Sequence, residues 1–145
     1  MAVSAINRTA SVAWSPSNHN TVLLAAATAA HQVDASFNTS ASLDIFEFNP
    51  ANIQADLPIR GSIACQERVY KLVWSPYSSG YGSTSHAGLL IAAIDNGLVV
   101  YSADAVLSHN QDTAVVQRLK SHTGSVHALD VSSVMVCLSS YRITV

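Results

Sequence analysis

Residues 11–17 read SVAWSPS and residues 71–77 read KLVWSPY. Trp14 and Trp74 are the chain's two tryptophans, and each stands in the tripeptide Trp-Ser-Pro. Val12-Ala13-Trp14 is apolar and stops at Ser15-Pro16, where proline, lacking a backbone N–H, ends any sheet ladder. The surroundings repeat as well. Val22–Ala27 and Leu89–Ile94 are apolar runs of buried-strand length. The alanines of the first run would also suit a helix, but the isoleucines of the second favour strand. Asp95-Asn96-Gly97 then reads as a tight hairpin whose central residues tolerate positive φ. The returning strand is Leu98–Tyr101, matched in the first copy by Leu43–Phe48. Fourth strands fall near Ile59–Cys65 and Ala114–Leu119. A third beginning, HTGSVHALDVSS (122–133), aligns Leu129-Asp130-Val131 with Val12-Ala13-Trp14 and puts valine in the tryptophan position.

Repeated four-strand units predict an all-β propeller. Propeller repeats of this kind usually run about 40–45 residues. The excess here lies in two loops rich in Ser, Thr and Gly or Asn, 28–42 and 77–86. The expected organisation is a first blade over 1–65, a second over 66–121, and the start of a third over 122–145. After Val131 the pattern fails: SSVMVCLSSYRITV supplies no Asn-Gly or Asp-Gly hairpin, although Val134–Leu138 could form a strand. Open blade faces and strand edges invite aggregation or pairing with another chain. A truncated product is therefore one expectation.

Composition narrows the function. The chain has 145 residues, 49% hydrophobic and 11% charged, with net charge −2. That composition suits a packed core and not a disordered tail. The basic residues are scattered between Arg8 and Arg142, so no stripe exists to neutralise a run of phosphates, and nucleic acid is not an expected ligand. Cys65 and Cys137 are too few for a disulfide framework and read as reduced, buried thiols. The N-terminal MAVSAINRTAS lacks signal-peptide character, and the longest apolar block, 22–30, is well short of the ~20 residues that span a bilayer. A soluble, cytosolic protein is expected, in which the sequons at Asn7 and Asn38 stay unmodified.

Several residues are of types that carry chemistry elsewhere. His122 and His127 are five apart without the His-Glu-x-x-His pattern of a zinc helix. GSTSHAG (82–88) places Ser near His but on no nucleophile elbow. No phosphate loop or paired carboxylates occur. The innermost strands 11–14, 71–74 and 128–131 contribute only Lys71 and Asp130 as titratable groups. The expectation is thus no enzyme: no catalytic, cofactor-binding or metal-binding residues, and no cofactor. Trp14 and Trp74 are both predicted to be wedges in the core between blades. Asp95 reads as a turn-former that bonds its own backbone.

HTGSVHALDV and LLIAAIDNGLVVYSA resemble segments of WD repeats, with Tyr101 where that family often has tryptophan. More closely, RTASVAWSPS, AATAAHQVDASFNTSASLDIFEFN, YKLVWSPY, GLLIAAIDNGLVVYSADAV and SHTGSVHALDV resemble the N-terminal propeller of the long outer-coat subunit of the COPII vesicle coat, a protein transport protein of the Sec class. They run in one order over residues 8–131, and generic WD repeats have no loop like DASFNTSASLDIFEF. The resemblance implies a structural, protein-binding role in transport from endoplasmic reticulum to Golgi. The location would be cytoplasmic, on coated vesicles and on the cytosolic face of the endoplasmic reticulum membrane. The implied partners are other coat subunits: the small propeller subunit of the outer coat and the inner coat. In that family these two bind through segments further along the chain than these 145 residues. It also puts His122 at the turn histidine whose Asp partner would lie past Val131, and Cys65 where the second blade would have its own histidine. The alternatives are another WD-repeat scaffold, against which the 31–42 loop speaks, and a truncated, non-functional fragment.

Overall fold

Apolar, β-branched runs alternating with turn-forming residues give two antiparallel four-stranded sheets. The computed structural model describes residues 4–6, 8–16, 21–29, 32–33, 39–53, 56–75 and 87–131. The chain forms β1 (Ala10–Trp14), β2 (Val22–Thr28), the short pair β3 (Gln32–Val33) and β4 (Thr39–Ser40), β5 (Ser42–Phe48), β6 (Ile59–Ala64), β7 (Lys71–Ser75), β8 (Leu89–Ile94), β9 (Gly97–Ser102), α1 (Ala103–Leu107), α2 (Gln111–Ala114) and β10 (Val115–Leu119). The sheet orders are β1-β2-β5-β6 and β7-β8-β9-β10. These are the four-strand units read from the sequence, and the fold is an incomplete propeller. The long 28–42 insertion carries the β3–β4 ladder, which composition gave no reason to expect.

The two copies share one register. Trp14 pairs with Leu24, and Trp74 with Leu90. Strand alternation then sorts each blade into two faces. Ala25, Ala27, Leu43, Ile45 and Ile63 of the first sheet meet Leu72, Trp74, Leu90, Ala92 and Tyr101 of the second in one core. Ile91, Ala93 and Leu98 face the other way and pack with Val126 and Leu129, against which Val131 also lies. Leu129 and Val131 thus do in the third unit what Leu72 and Trp74 do in the second. Residues 128–131, expected as an innermost strand, are not one: a strand needs a ladder, and none of the described residues pairs with them. The segment is instead tethered by the Asp95–Ser125 bridge and by the Val126 N–H, which donates to Ile94 O at 3.1 Å. Val134–Leu138 and the 77–86 loop fall outside the described residues.

The hairpin after β8 also differs in detail. Its turn residues are Asp95 and Asn96, of which Asn96 takes positive φ (69°). Gly97 already belongs to β9. Its requirement is space, since a Cβ there would lie 1.9 Å from Leu119 O.

The second blade reaches back over the first. α1 follows β9 and lies on β6, where Gly61 leaves room: a Cβ at Gly61 would sit 2.3 Å from Val106 O and 2.6 Å from Leu107 Cα. These are backbone atoms, so neither can swing aside. Gly61→Ala is therefore expected to lower stability by about 1–3 kcal/mol. Gly124→Ala, with nothing within 4 Å, should be close to neutral. Urea unfolding midpoints of the two variants check this, and equal midpoints would refute it.

Candidate functional site

Two polar features lie where elements of different blades meet. At the β8–β9 hairpin, the Asp95 carboxylate oxygen Oδ1 accepts from Tyr70 Oη at 2.8 Å and from Ser125 Oγ at 2.6 Å. Ser125 Oγ also lies 3.2 Å from Tyr70 Oη. The Tyr70 ring meets His127 edge-on at 4.6 Å, and the Arg68 guanidinium lies over it at 4.9 Å. Asp95 is thus more than the self-bonded turn residue expected: it joins the start of β7, its own hairpin and the 122–126 segment. Tyr70, not the aligned Cys65, supplies its partner within the blade. The hydrogen bonds from Ser125 and then Tyr70 hold its carboxyl below the ordinary 3.8. With the folded value depressed, its contribution to stability is present above the unfolded pKa and is lost as the pH falls through the folded one. Tyr70→Phe should raise the Asp95 midpoint toward 3.8 in a carboxyl carbon NMR titration; an unmoved midpoint would exclude Tyr70 from the network.

His122 sits at the turn and is half-buried. Its N–H donates to Asn96 O at 3.2 Å, and its Nδ1 lies 3.3 Å from Ser121 Oγ. Among the described residues its partners are Asn96 of the neighbouring turn and the adjacent Ser121, not an aspartate. Lys71, His127 and Asp130 are exposed. The structure does not gather these groups: among the described residues, no three His, Cys, Asp or Glu side chains are placed to hold a metal ion. Residues 82–86 of GSTSHAG and Cys137 fall outside the described residues.

Cys65 is half-buried in the seam between the blades, its Sγ 3.7 Å from Tyr101 Oη. Burial, outweighing the Tyr101 hydrogen bond, pushes its thiol up to about 11; burial and the nearby sulfur push the Tyr101 phenol up too. At pH 8 that leaves roughly a hundredfold less thiolate than an ordinary cysteine carries. Iodoacetamide should label Cys65, followed on its own tryptic peptide, far more slowly in the native chain than in urea. Similar rates would show the thiol to be open. Because the folded pKa lies above the unfolded 9.0, the contribution to stability is complete below about pH 9 and gone above about pH 11.

Two groupings escaped the sequence reading. On the far face of the first blade, Arg8 Nη1 donates to Asp44 Oδ2 at 2.6 Å and to Ser42 Oγ at 2.7 Å, and Nη2 donates to Ala26 O. Ser62 Oγ donates to Asp44 Oδ1. An aspartate inside the apolar run SLDIFEF was the available signal, because a buried carboxylate requires a partner. The same face carries the second surprise. Trp74 is 7% exposed, as a wedge should be, but Trp14 is 54% exposed. Its ring meets Phe48 edge to face, with centroids 5.9 Å apart. Trp14, Leu24, Phe48, Ile53 and Leu57 line an open apolar hollow of about 490 Å³. The motif and register are identical; the difference is that no second sheet among the described residues covers this face.

No family model matches the chain. Comparison with curated proteins finds Sec31A of Danio rerio, 42% identical over 135 residues, covering 92% of this chain and 10% of that protein. Sec31A of Gallus gallus is 38% identical over 91% of the chain and 11% of its own length. SEC31 of Mycosarcoma maydis is 36% identical over 86% and 9%. The chain spans about a tenth of the length of these relatives. Among solved structures, one of COPII on membranes at the outer coat vertex matches with TM-score 0.57 and 27% identity, over 86% of this chain and 28% of that one. The COPII coat assembled on membranes matches at the same TM-score, over 16% of its chain. No helix among the described residues is long and apolar enough to cross a membrane. By sequence and by fold, the chain belongs with the Sec31-like proteins of the COPII outer coat, as an incomplete WD-type β-propeller.

Proposed function

We propose that the chain is a structural, non-catalytic component of the COPII outer coat that works through its protein-binding surface in transport from endoplasmic reticulum to Golgi. The observation that carries this reading is similarity to Sec31 proteins running through both blades, together with the match to an outer-coat vertex. Rigid sheets present the loops and hairpins, so specificity would reside in surface shape and not in reacting groups. Blades spanning 1–65 and 66–121, with 122–145 beginning a third, would be the units presented. The location is the cytosolic face of the endoplasmic reticulum membrane and the coated vesicle. The partners are other coat subunits, met here through vertex contacts; the small propeller subunit and the inner coat would meet segments beyond these residues.

Co-sedimentation tests the reading. The tagged chain is mixed with membranes in the presence and absence of assembled coat. Enrichment only on coated membranes is expected, and equal recovery from bare membranes would refute the proposal.

A further inference from the structure

β6 is the outermost strand of the first sheet, and its outer edge offers a ladder to any extended chain. Its outward N–H groups at Ser62 and Ala64 are both taken. Ser62 N–H donates to His109 Nδ1 at 3.3 Å, and Ala64 N–H donates to Gln111 Oε1 at 2.8 Å. The Gln111 amide also donates from Nε2 to Ala64 O at 3.1 Å. His109 and Gln111 are two residues apart, as are Ser62 and Ala64, so the two side chains meet successive edge positions as alternate residues of a neighbouring strand would. Nothing in the regular fold requires this. α1 is admitted onto the face of β6 by Gly61, and His109 then turns the chain over the edge with positive φ (53°).

We propose that the 109–111 segment is a clasp that imitates a fifth strand and closes the β6 edge against strand addition by a second copy of this chain. The edge is self-complementary. In an antiparallel pairing about a two-fold axis at Ile63, Ser62 of one copy opposes Ala64 of the other, and both outward pairs are satisfied at once. This inference concerns the chain's own edge and does not depend on the coat reading.

The test is native-state hydrogen exchange on the full chain and on a His109→Gly/Gln111→Ala variant. Glycine adopts the left-handed backbone at 109 without strain and carries no side-chain acceptor. At low protein concentration, protection of the Ser62 and Ala64 amides should fall about tenfold or more, with the β5 amides unchanged. At high concentration protection should return, together with dimer in sedimentation velocity beyond that of the parent chain. Unchanged protection would overturn the clasp, and protection lost at every concentration would overturn the second copy as occupant. If the double variant fails to fold, Gln111→Ala alone decides. It removes the acceptor of the Ala64 N–H and leaves His109 in place, so Ala64 should lose protection while Ser62 keeps it. Equal protection at Ala64 in this variant and the parent would refute the proposal.

Discussion

Trp74→Ala is expected to cost about 3–5 kcal/mol of unfolding free energy, the range for removing a buried aromatic side chain. Trp14→Ala should cost roughly 1 kcal/mol or less. The two residues share a tripeptide, a strand position and a cross-strand partner type, so nothing local separates them. The difference lies in what each indole meets. Trp74 is wedged into the core between the sheets, and its Nε1–H donates to Ala87 O at 2.7 Å. That carbonyl sits just before β8, where Gly88 (φ 82°) turns the chain and its oxygen accepts from Ala103 N–H at 3.1 Å. Truncating Trp74 removes the wedge and leaves a buried carbonyl without its donor. Trp14 projects from the same side of its own blade onto a face that is largely open. Urea unfolding of both variants reads the contrast directly. Comparable losses would mean that the first blade's outer face is covered in solution.

That contrast marks how far the sequence could be read. Strand positions were legible because β-branched runs, hairpin residues and the Trp-Ser-Pro stop all point the same way. Register was legible too: aligning Val131 with Trp74 correctly puts Leu129 and Val131 against the preceding blade. Burial was not, because it depends on what lies across a face, and repetition carries no information about where the stack of sheets is interrupted. The clasp was hidden for a different reason. α1 and α2 have five and four residues, too short for a helical period to show. Their cap residues were in plain sight: Ser102 accepts from the Ala105 N–H and Asn110 from the Thr113 N–H. Caps without a periodic stretch behind them read as loop. The Tyr70–Asp95–Ser125 network was hidden by distance along the chain, since its members are 25 and 30 residues apart.

The Arg8–Asp44 pair should be the other large lever on stability, and its effect depends on how it is broken. The side chains are 13% and 9% exposed, which separates them from surface ion pairs worth about 0–1 kcal/mol. Asp44→Ala strands a guanidinium in the protein and removes the acceptor used by Ser62 and Ser42. Arg8→Met strands the carboxylate instead. Each single variant is expected to lose about 3–5 kcal/mol, mainly as the penalty of an unpaired buried charge. The double variant Arg8→Met/Asp44→Leu removes both charges and fills the space with apolar volume, so it should recover most of that loss. A double-mutant cycle on urea unfolding measures the difference. Strong coupling would mean that the pair holds the segment around Arg8 across the first blade's outer face because each charge makes the other tolerable. Additive losses would mean that Arg8 acts mainly through Ala26 O and Ser42, and that the carboxylate is held by its serine neighbours alone.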